Sequence, residues 1–329
     1  SLFQDGQIED MFISEINSDD AYTRFEKMVL LSATKAIEDS GIDASSDKTI
    51  FVLSTTKGNV SLLEKNVCGV DDNRVLLGVM ANVISCHFGN SNMPIVVSNA
   101  CISGVCAQIV AKRCLESSKY DNAVVIGADE QSPFIVSGFM SFRALSPEVC
   151  HPFSKNRNGL NLGEAAATII YQRCDNVIDG WQAVKGAIRN DANHISGPSR
   201  TGEGSYRALK YVMTDEVVPA DIAVVNVHGT ATVYNDDMES IALSRAGLSD
   251  TPINGYKGYY GHTMGAAGIL ESILSMKALD NGLILPTRGF DEIGVTHPVN
   301  ISNKYRHTDK KKFIKLLSGF GGCNVAMLF

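Results

Sequence analysis

The strongest constraint on the fold is a nine-residue stretch, residues 96–104, in which a strand turns directly into a helix around a cysteine. Residues 94–98 are apolar and β-branched after a proline, and this pattern predicts a short buried strand. Over residues 102–115 the apolar positions recur at helical spacing. Cys101 therefore lies beside a helix N-terminus, whose unpaired N–H groups favour a thiolate. A buried structural cysteine is the common alternative, so the rest of the chain decides between them.

The chain alternates strands with helices in two successive halves, which predicts stacked α/β layers. No low-complexity linker separates the halves, which we place at residues 1–172, with the cysteine, and residues 173–329. Residues 5–25 are polar and acidic and predict an irregular lead-in. The other predicted elements are, in order, helix 23–40, strand 49–53, helices 61–67 and 74–88, strand 122–128, helix 134–141, strands 165–171 and 181–188, helix 205–213, strand 221–227, helix 236–246, loop 255–261, helix 265–280, and a hairpin of strands 313–318 and 325–329.

Composition excludes several classes of function. The chain has 329 residues, of which 44% are hydrophobic and 20% charged, and its net charge of −7 argues against nucleic acid as a partner. Its eight cysteines lack CxxC spacing, so they predict neither a zinc site nor a disulfide framework. No apolar run approaches the ~18 residues of a membrane span, and the N-terminus shows no signal-peptide pattern. We therefore expect a globular cytoplasmic protein that holds no metal.

Three further stretches place polar or flexible residues at strand ends or helix starts, where α/β sheets gather their active sites. Residues 228–232 (HGTAT) follow a buried strand, Lys257 and His262 precede a Gly/Ala-rich helix, and residues 319–322 (GFGG) join two strands. Each stretch has an ordinary structural alternative. The histidines can be core residues, the lysine a solvated loop residue, the threonines helix caps and the glycines a hairpin turn.

Taken together and in this order, the motifs resemble those of the β-ketoacyl-acyl carrier protein synthases, the elongating condensing enzymes of fatty acid and polyketide synthesis. The likeness runs from about residue 23 to residue 329. Any one motif is weakly specific, but four in the same order are strong evidence. The matching motifs are Ala100-Cys101-Ile102-Ser103-Gly104, His228-Gly229-Thr230-Ala231-Thr232 with Asn235-Asp236, Lys257 and His262 with Gly265-Ala266-Ala267-Gly268, and Gly319-Phe320-Gly321-Gly322; Pro152-Phe153, Arg157, Gly159, Gly163-Glu164-Ala165-Ala166 and Asp191-Ala192 match in between.

The resemblance implies a thiolase-like fold of five layers, αβαβα, with two pseudo-duplicated halves, and usually a homodimer. It implies that Cys101 accepts an acyl chain as a thioester, and that His228 and His262 promote malonyl decarboxylation and hold the resulting enolate. The implied activity is that of a 3-oxoacyl-[acyl-carrier-protein] synthase, which condenses a Cys-bound acyl group with malonyl-carrier protein in fatty acid or polyketide synthesis. Acyl carrier protein is then the partner, presenting acyl and malonyl thioesters on phosphopantetheine, and no other cofactor is implied.

The same resemblance assigns supporting roles. Lys257 and Glu164 match a charged pair near the histidines, and Thr230 and Thr232 match threonines that contact the pantetheine arm. Phe320 matches a gate beside the nucleophile, whose backbone N–H joins that of the cysteine in an oxyanion hole. Two backbone donors suit the tetrahedral intermediate of acyl transfer. Neutral histidines suffice for the decarboxylation, so the chemistry demands no metal.

Some features depart from the family pattern. The opening strand with its glycine turn is not recognisable, and Asn99 replaces the more usual threonine before Ala-Cys. Cys323 stands where histidine or threonine is common, and Tyr259-Tyr260 gives a bulky loop that is expected to narrow the acyl channel. A basic run over residues 304–315 is interpreted as a solvated loop rather than a carrier-docking patch.

Two alternatives remain open at this point. A biosynthetic thiolase shares the fold and the nucleophile, and because Cys323 lies near the C-terminus, the thiolase interpretation is not excluded. A non-catalytic partner subunit, like the chain-length factors that form heterodimers with active synthases, shares the fold but generally lacks the nucleophile. The synthase hypothesis makes one geometric prediction: the sulfur of Cys101 and the imidazoles of His228 and His262 converge on a single buried cavity.

Overall fold

The computed structural model describes residues 22–64, 69–174, 180–213 and 216–329. The helices are α1 (Arg24–Ser40), α2 (Leu77–His87), α3 (Ser103–Glu116), α4 (Pro133–Ser141), α5 (Glu203–Val212), α6 (Val233–Arg245), α7 (Lys257–Tyr260) and α8 (Ala267–Asp280). The strands are β1 (Thr49–Ser54), β2 (Ile95–Val97), β3 (Asn122–Asp129), β4 (Ala165–Gln172), β5 (Lys185–Asn190), β6 (Ile222–Asn226), β7 (Pro252–Asn254), β8 (Leu283–Ile284), β9 (Asn300–Ile301), β10 (Arg306–His307), β11 (Lys312–Gly319) and β12 (Cys323–Leu328). None of the helices in these ranges is long and apolar enough to cross a bilayer.

The strands form two main sheets. The first has the order β2-β1-β3-β4, in which β1 runs parallel to β2 and β3 while β4 is antiparallel to β3. The second has the order β5-β12-β11-β6-β7-β9; β12 runs antiparallel to β5 and β11, and the pairs from β11 to β9 are parallel. The predicted closing hairpin is therefore confirmed as β11 and β12.

Each sheet is covered on both faces, and the alternation of side chains along β1 shows how. Ile50 and Val52 pack towards α3, whereas Phe51 and Leu53 pack towards α1 and α2 on the opposite face. Successive side chains of a strand point to opposite faces. A strand buried on both sides is therefore apolar at consecutive positions along its middle, as predicted for β3 as well.

Helices α3 and α8 form the central layer between the two sheets. Val105 and Ile109 of α3 pack against the second sheet, while Ala107 and Ala111 pack against the first. Helices α1 and α2 cover the outer face of the first sheet, and α5 and α6 cover that of the second. The layers therefore run αβαβα, which confirms the predicted thiolase-like architecture.

Several predicted boundaries differ from the structure. The strand predicted over 181–188 begins at Lys185, because Trp181 packs edge-to-face on Phe313 and donates to Asp280. The predicted loop over 255–261 contains the helical turn α7. The helix predicted over 61–67 is a 3₁₀ turn at Val60–Leu63, and its end lies outside the described residues. The same holds for most of the lead-in predicted over 5–25, and the division at residue 172 stays a prediction.

Candidate active site

The backbone around Cys101 forms a tight bend between β2 and α3. Ala100 adopts a left-handed conformation with φ of 45°, which is strained for a residue with a side chain. Ser103 stabilises the bend, because its hydroxyl donates to the carbonyl of Ala100 at 2.6 Å and accepts from the N–H of Asn99 at 2.7 Å. The cysteine is thereby held at the mouth of α3, as predicted.

Glycines allow α3 and α8 to cross at very short range just behind the cysteine. A Cβ on Gly104 would lie 2.9 Å from the carbonyl oxygen of Gly265 and 3.0 Å from the backbone of Gly268. A Cβ on Gly268 would lie 2.5 Å from the backbone nitrogen of Val105. The paired glycines therefore bring the start of α8, and the loop before it, close to the nucleophile.

His228 follows β6 at the start of a loop that two buried carboxylates of α6 hold in place. The carboxylate of Glu239 accepts the backbone N–H groups of His228 at 2.7 Å and Gly229 at 2.8 Å. That of Asp236 accepts the N–H of Thr230 at 3.1 Å. Burial raises the pKa of Asp236 to about 6 and that of Glu239 to about 7.

His262 lies in the loop between α7 and α8, and its backbone pairs with a neighbouring segment. Its N–H donates to the carbonyl of Asn161 at 2.7 Å, and its carbonyl accepts from Gly163 at 3.0 Å. On the ring, Nδ1 accepts the backbone N–H of Met264 at 3.2 Å. An accepting Nδ1 carries no hydrogen in the neutral ring, so the hydrogen resides on Nε2.

The three predicted catalytic side chains converge. One ligand-type atom from each of Cys101, His228 and His262 lies within 4.8 Å of the others, and the two rings meet edge-to-face with centroids 5.1 Å apart. All three side chains are buried. This set of soft donors could hold a metal such as Zn²⁺, but a metal there would occupy the atoms that acyl transfer needs. The geometric prediction of the synthase hypothesis is confirmed.

The three groups line a cavity of about 520 Å³. Thr230 and Thr232 also line it, and their hydroxyls lie 2.9 Å apart. Phe320 contributes its ring to the wall and packs against Phe142 at a centroid distance of 4.9 Å. A Cβ on Gly319 would lie 3.2 Å from the backbone nitrogen of Cys101, so the loop of Phe320 approaches the nucleophile closely.

Burial determines the resting charge of the site. It raises the pKa of the Cys101 thiol to about 11, although the ammonium of Lys257 acts in the opposite direction. Burial therefore opposes the thiolate that the helix N-terminus is expected to favour. Burial, with Lys257, also lowers the pKa of His228 and His262 well below the ordinary value, so both rings rest neutral.

The predicted pair of Lys257 with Glu164 is wrong. Lys257 binds Glu271 of α8 at 2.8 Å and donates to the carbonyl of His228 at 2.7 Å. The carboxylate of Glu164 instead accepts hydrogen bonds from both terminal nitrogens of Arg24, at 2.9 and 2.7 Å. The sequence places Glu164 at the edge of the motif, but β4 and α1 direct its side chain to a different partner.

Two further sequence interpretations bear on the alternatives. Cys323 lies in the cavity wall but is not one of the three clustered residues, within the part of the chain that the structure describes. A thiolase-like second thiol at the reacting atoms therefore has no support. Tyr259 donates its hydroxyl to the carbonyl of Pro286, and neither it nor Tyr260 is among the described residues that line the cavity, contrary to the expected narrowing.

Sequence reasoning missed three buried charged residues of the site: Glu239, Glu271 and Lys315. Glu239 follows Asp236 by three positions, so both lie on the same face of α6, and this spacing is a signal that was readable. The basic run over residues 304–315 predicts a solvated Lys315, yet its side chain is fully buried and forms an ion pair with Glu271 at 2.6 Å. Its position among the apolar residues of a strand is the sequence signal that indicates this burial.

Comparison with known proteins agrees with this geometry. The family model for the N-terminal domain of beta-ketoacyl synthases matches residues 4–176, and that for the C-terminal domain matches residues 182–291. A mitochondrial relative from Schizosaccharomyces pombe is 26% identical over 281 residues, which are 78% of this chain and 66% of the relative. The 3-oxoacyl-[acyl-carrier-protein] synthase 2 of Vibrio cholerae is 26% identical over 336 residues, covering 91% of this chain and 80% of that protein.

A solved structure extends the likeness to three dimensions. One chain of a solved complex of a ketosynthase with its chain length factor, from Xenorhabdus doucetiae, superposes with a TM-score of 0.81 at 26% identity. The superposition covers 97% of this chain and 82% of that chain. With both domain models matched and the Cys/His/His cluster assembled, the chain belongs to the β-ketoacyl synthase family of acyltransferases.

Proposed function

We propose that this protein is a 3-oxoacyl-[acyl-carrier-protein] synthase, which joins a Cys101-bound acyl group to a malonyl unit with loss of CO₂. One observation carries the proposal: Cys101, His228 and His262 place their reactive atoms within 4.8 Å of one another in a buried cavity. A non-catalytic partner subunit has no use for such a cluster. Membership of the family supports the reaction class.

In the first half-reaction the acyl group moves to the cysteine. Because the resting thiol holds its proton, a base must take it, and His228 is the neutral neighbour whose Nδ1 lacks a partner in the described structure. The sulfur attacks the thioester carbonyl, and the carrier thiolate leaves with the proton that His228 accepted. The ring thus returns to its neutral form, ready for the second half-reaction.

In the second half-reaction the malonyl carboxylate leaves as CO₂, and negative charge develops on the thioester oxygen. Nε2 of His262 is a buried donor without a partner in the described residues, so it is free to stabilise that oxygen, with His228 beside it. Removal of one such donor typically costs ~10²–10³ in rate. The enolate carbon then attacks the acyl thioester, and Cys101 leaves as a thiolate that takes up a proton from solvent to restore the resting thiol.

The proposed substrates are acyl and malonyl thioesters on acyl carrier protein. The Vibrio cholerae relative is named for that carrier. Thr230 and Thr232 line the cavity and present hydroxyls to the polar amides of a pantetheine arm. The exposed side chain of Arg143 also lines this cavity. Carrier-bound substrates are therefore expected to react with a lower KM than the same acyl groups on short synthetic thiols.

A dimer formed along β2 is part of the proposal. In the described chain β2 lies at the edge of its sheet, its residues are half-buried, and Met93 just before it is 85% exposed. An edge strand carries N–H and C=O groups that a second strand can satisfy. Light scattering should give the mass of two chains. A mass of one chain that doubles only with a homologous subunit would indicate a heterodimer, like the Xenorhabdus doucetiae complex.

The proposed reaction uses no metal and no cofactor beyond the carrier's phosphopantetheine. Both charge-stabilising groups are neutral imidazoles, and the nucleophile is activated by proton transfer. Dialysis against a chelator should leave the rate unchanged. Added Zn²⁺ should inhibit, because it would bind the same sulfur and nitrogens.

Intact-protein mass spectrometry after incubation with an acyl thioester tests the assignment. The native protein should gain one acyl group, and the Cys101→Ala variant should gain none while it still releases CO₂ from malonyl-carrier protein. Cys323→Ala is the matched control, because Cys323 lies in the same cavity wall outside the cluster. This variant should still gain one acyl group. A native protein that forms no covalent adduct would overturn the proposal in favour of a partner subunit.

A further inference from the structure

Lys315 occupies a position in β11 where an apolar residue is expected. Phe313 and Leu317, two residues to either side, point into the core between the second sheet and the central helices. Lys315 shares their side of the strand, and its side chain has no exposed surface. A lysine in such a place needs partners for its charge.

The partners of Lys315 are found at the end of β6 and on α8. Its ammonium lies 2.6 Å from the carboxylate of Glu271 and donates to the carbonyls of Asn226 at 3.3 Å and Val227 at 3.4 Å. Lys257 reaches the next carbonyl, that of His228. Two ammonium groups, bridged by one carboxylate, thus hold three consecutive carbonyls that lead to the His228 ring.

The charges around this cluster do not balance. One carboxylate, Glu271, faces two ammonium groups, and the two lysines hold the pKa of Glu271 below its usual value although burial opposes its ionisation. The other titratable groups that face the lysines are Glu239, the two catalytic imidazoles and the thiols of Cys101 and Cys150. A buried pair of this kind is often no more stable than apolar packing, so stability alone does not account for Lys315.

We propose that Lys315 is a positioning residue for the decarboxylation step, which holds the backbone that carries His228 and supplies a second buried positive charge that keeps both imidazoles unprotonated. The inference rests on the proposed synthase function. Lys315 acts through His228 and His262, since its ammonium binds backbone carbonyls and Glu271. Its charge is among those that lower the pKa of both rings, after burial and Lys257 at His262, and after burial, Lys257 and His262 at His228.

The pH range of this effect has two limits. Burial lowers the pKa of Lys315 itself to about 8, so its positive charge is present below that pH and is lost above it. Below pH 8 the charge opposes protonation of the rings, so loss of Lys315 should raise their pKa and move the acid limb of the rate profile to higher pH. Above pH 8 the native protein should lose activity as the ion pair with Glu271 weakens.

The experiment compares Lys315→Met with the native residue in a Cys101→Ala background, so that the thiol does not titrate. Release of CO₂ from malonyl-carrier protein is followed from pH 5 to 9.5. We expect the acid limb of the variant to lie about half a unit higher in pH, which corresponds to a rate about threefold lower at any pH where both proteins lie on that limb. Lys312→Met removes a half-exposed lysine of the same strand and should leave the profile unchanged.

Further variants and outcomes keep the inference testable. Lys315→Gln retains donors for the carbonyls without the charge, so it should shift the profile while retaining more of the rate at pH 7.5. Thermal unfolding reports whether each variant folds; if neither does, a flat profile of the Cys101→Ala protein above pH 8 overturns the inference. A Lys315→Met profile identical to its parent also overturns it. Absence of CO₂ release from the parent would instead overturn the proposed function.

Discussion

Glu239 holds His228 by its backbone rather than by its ring: one carboxylate oxygen accepts the N–H of His228 at 2.7 Å, and the other accepts that of Gly229 at 2.8 Å. The contact fixes the direction in which the strand β6 delivers its histidine. It leaves the ring nitrogens for substrate. A carboxyl group suits this place, because its two oxygens can accept from two N–H donors at once.

Glu239→Gln should therefore destabilise the protein and weaken catalysis together. The amide supplies one oxygen and turns an NH₂ group towards the second N–H donor, which leaves a buried donor unsatisfied at a cost of ~1–3 kcal/mol. Chemical denaturation at several pH values measures the loss. An unfolding free energy and a decarboxylation rate that both match the native protein would contradict this role.

The pH dependence of that loss has a defined sign. Burial, and then Asp236, raise the pKa of Glu239 to about 7 in the folded protein. The folded state therefore binds the proton more tightly than the unfolded chain, and this contribution to stability is lost as pH rises from about 4.5 towards 7. The glutamine variant lacks the titration, so the stability difference between the two proteins should narrow over that range.

Substitution of His262 should separate the two half-reactions. His262→Ala removes the buried Nε2–H donor, so malonyl decarboxylation should fall by ~10²–10³. Acyl transfer to Cys101 should fall much less, because the proposed base for that step is His228. His262→Gln can place an amide N–H near the position of Nε2 and should recover part of the decarboxylation. Equal losses in both half-reactions would contradict the division of roles.

Alkylation of Cys101 should be slow at neutral pH and should accelerate steadily as pH rises. A thiol whose pKa lies near 11 gains about tenfold in thiolate per pH unit below that value. Peptide mapping after treatment with iodoacetamide separates Cys101 from the exposed Cys86 and Cys174. A rate that reaches its plateau below pH 8 would show that the helix N-terminus outweighs burial after all.

The parts of the site that were predictable from the sequence are local ones. The bend around Cys101 follows from a strand pattern, small residues and a helical pattern that are adjacent in the chain. The charged partner of Lys257 is different in kind. Glu271 lies 14 positions away on another element, and its selection over Glu164 depends on the register of α8 against the two sheets. Sequence spacing does not report that register.

Burial was the second property that the sequence did not report. In the sequence Lys315 belongs to a basic run, since Lys310, Lys311 and Lys312 precede it. Of these four lysines, the alternation of side chains along the strand points only Lys315 into the core. Burial likewise opposes the thiolate expected for Cys101. The helix N-terminus is visible in the chain, whereas the desolvation of the sulfur arises only when both sheets and the central helices close around it.

The helix crossing behind the nucleophile offers a test with a built-in control. Gly104→Ala would place a Cβ 2.9 Å from the carbonyl oxygen of Gly265, so α3 and α8 must separate, at a cost of ~1–3 kcal/mol. In contrast, Gly138 lies in α4 with no atom within 4 Å of an added Cβ, and alanine there should be neutral or stabilising by up to ~1 kcal/mol.

Thermal unfolding and acylation rate should respond together in Gly104→Ala. The crossing positions the start of α8 and the His262 loop against Cys101, so a separation of the helices widens the cluster as well as lowering the melting temperature. Gly138→Ala should keep both quantities at or above the native values. If Gly104→Ala has the same melting temperature as Gly138→Ala and is acylated at the native rate, the close contact of α3 with α8 does not set the geometry of the site.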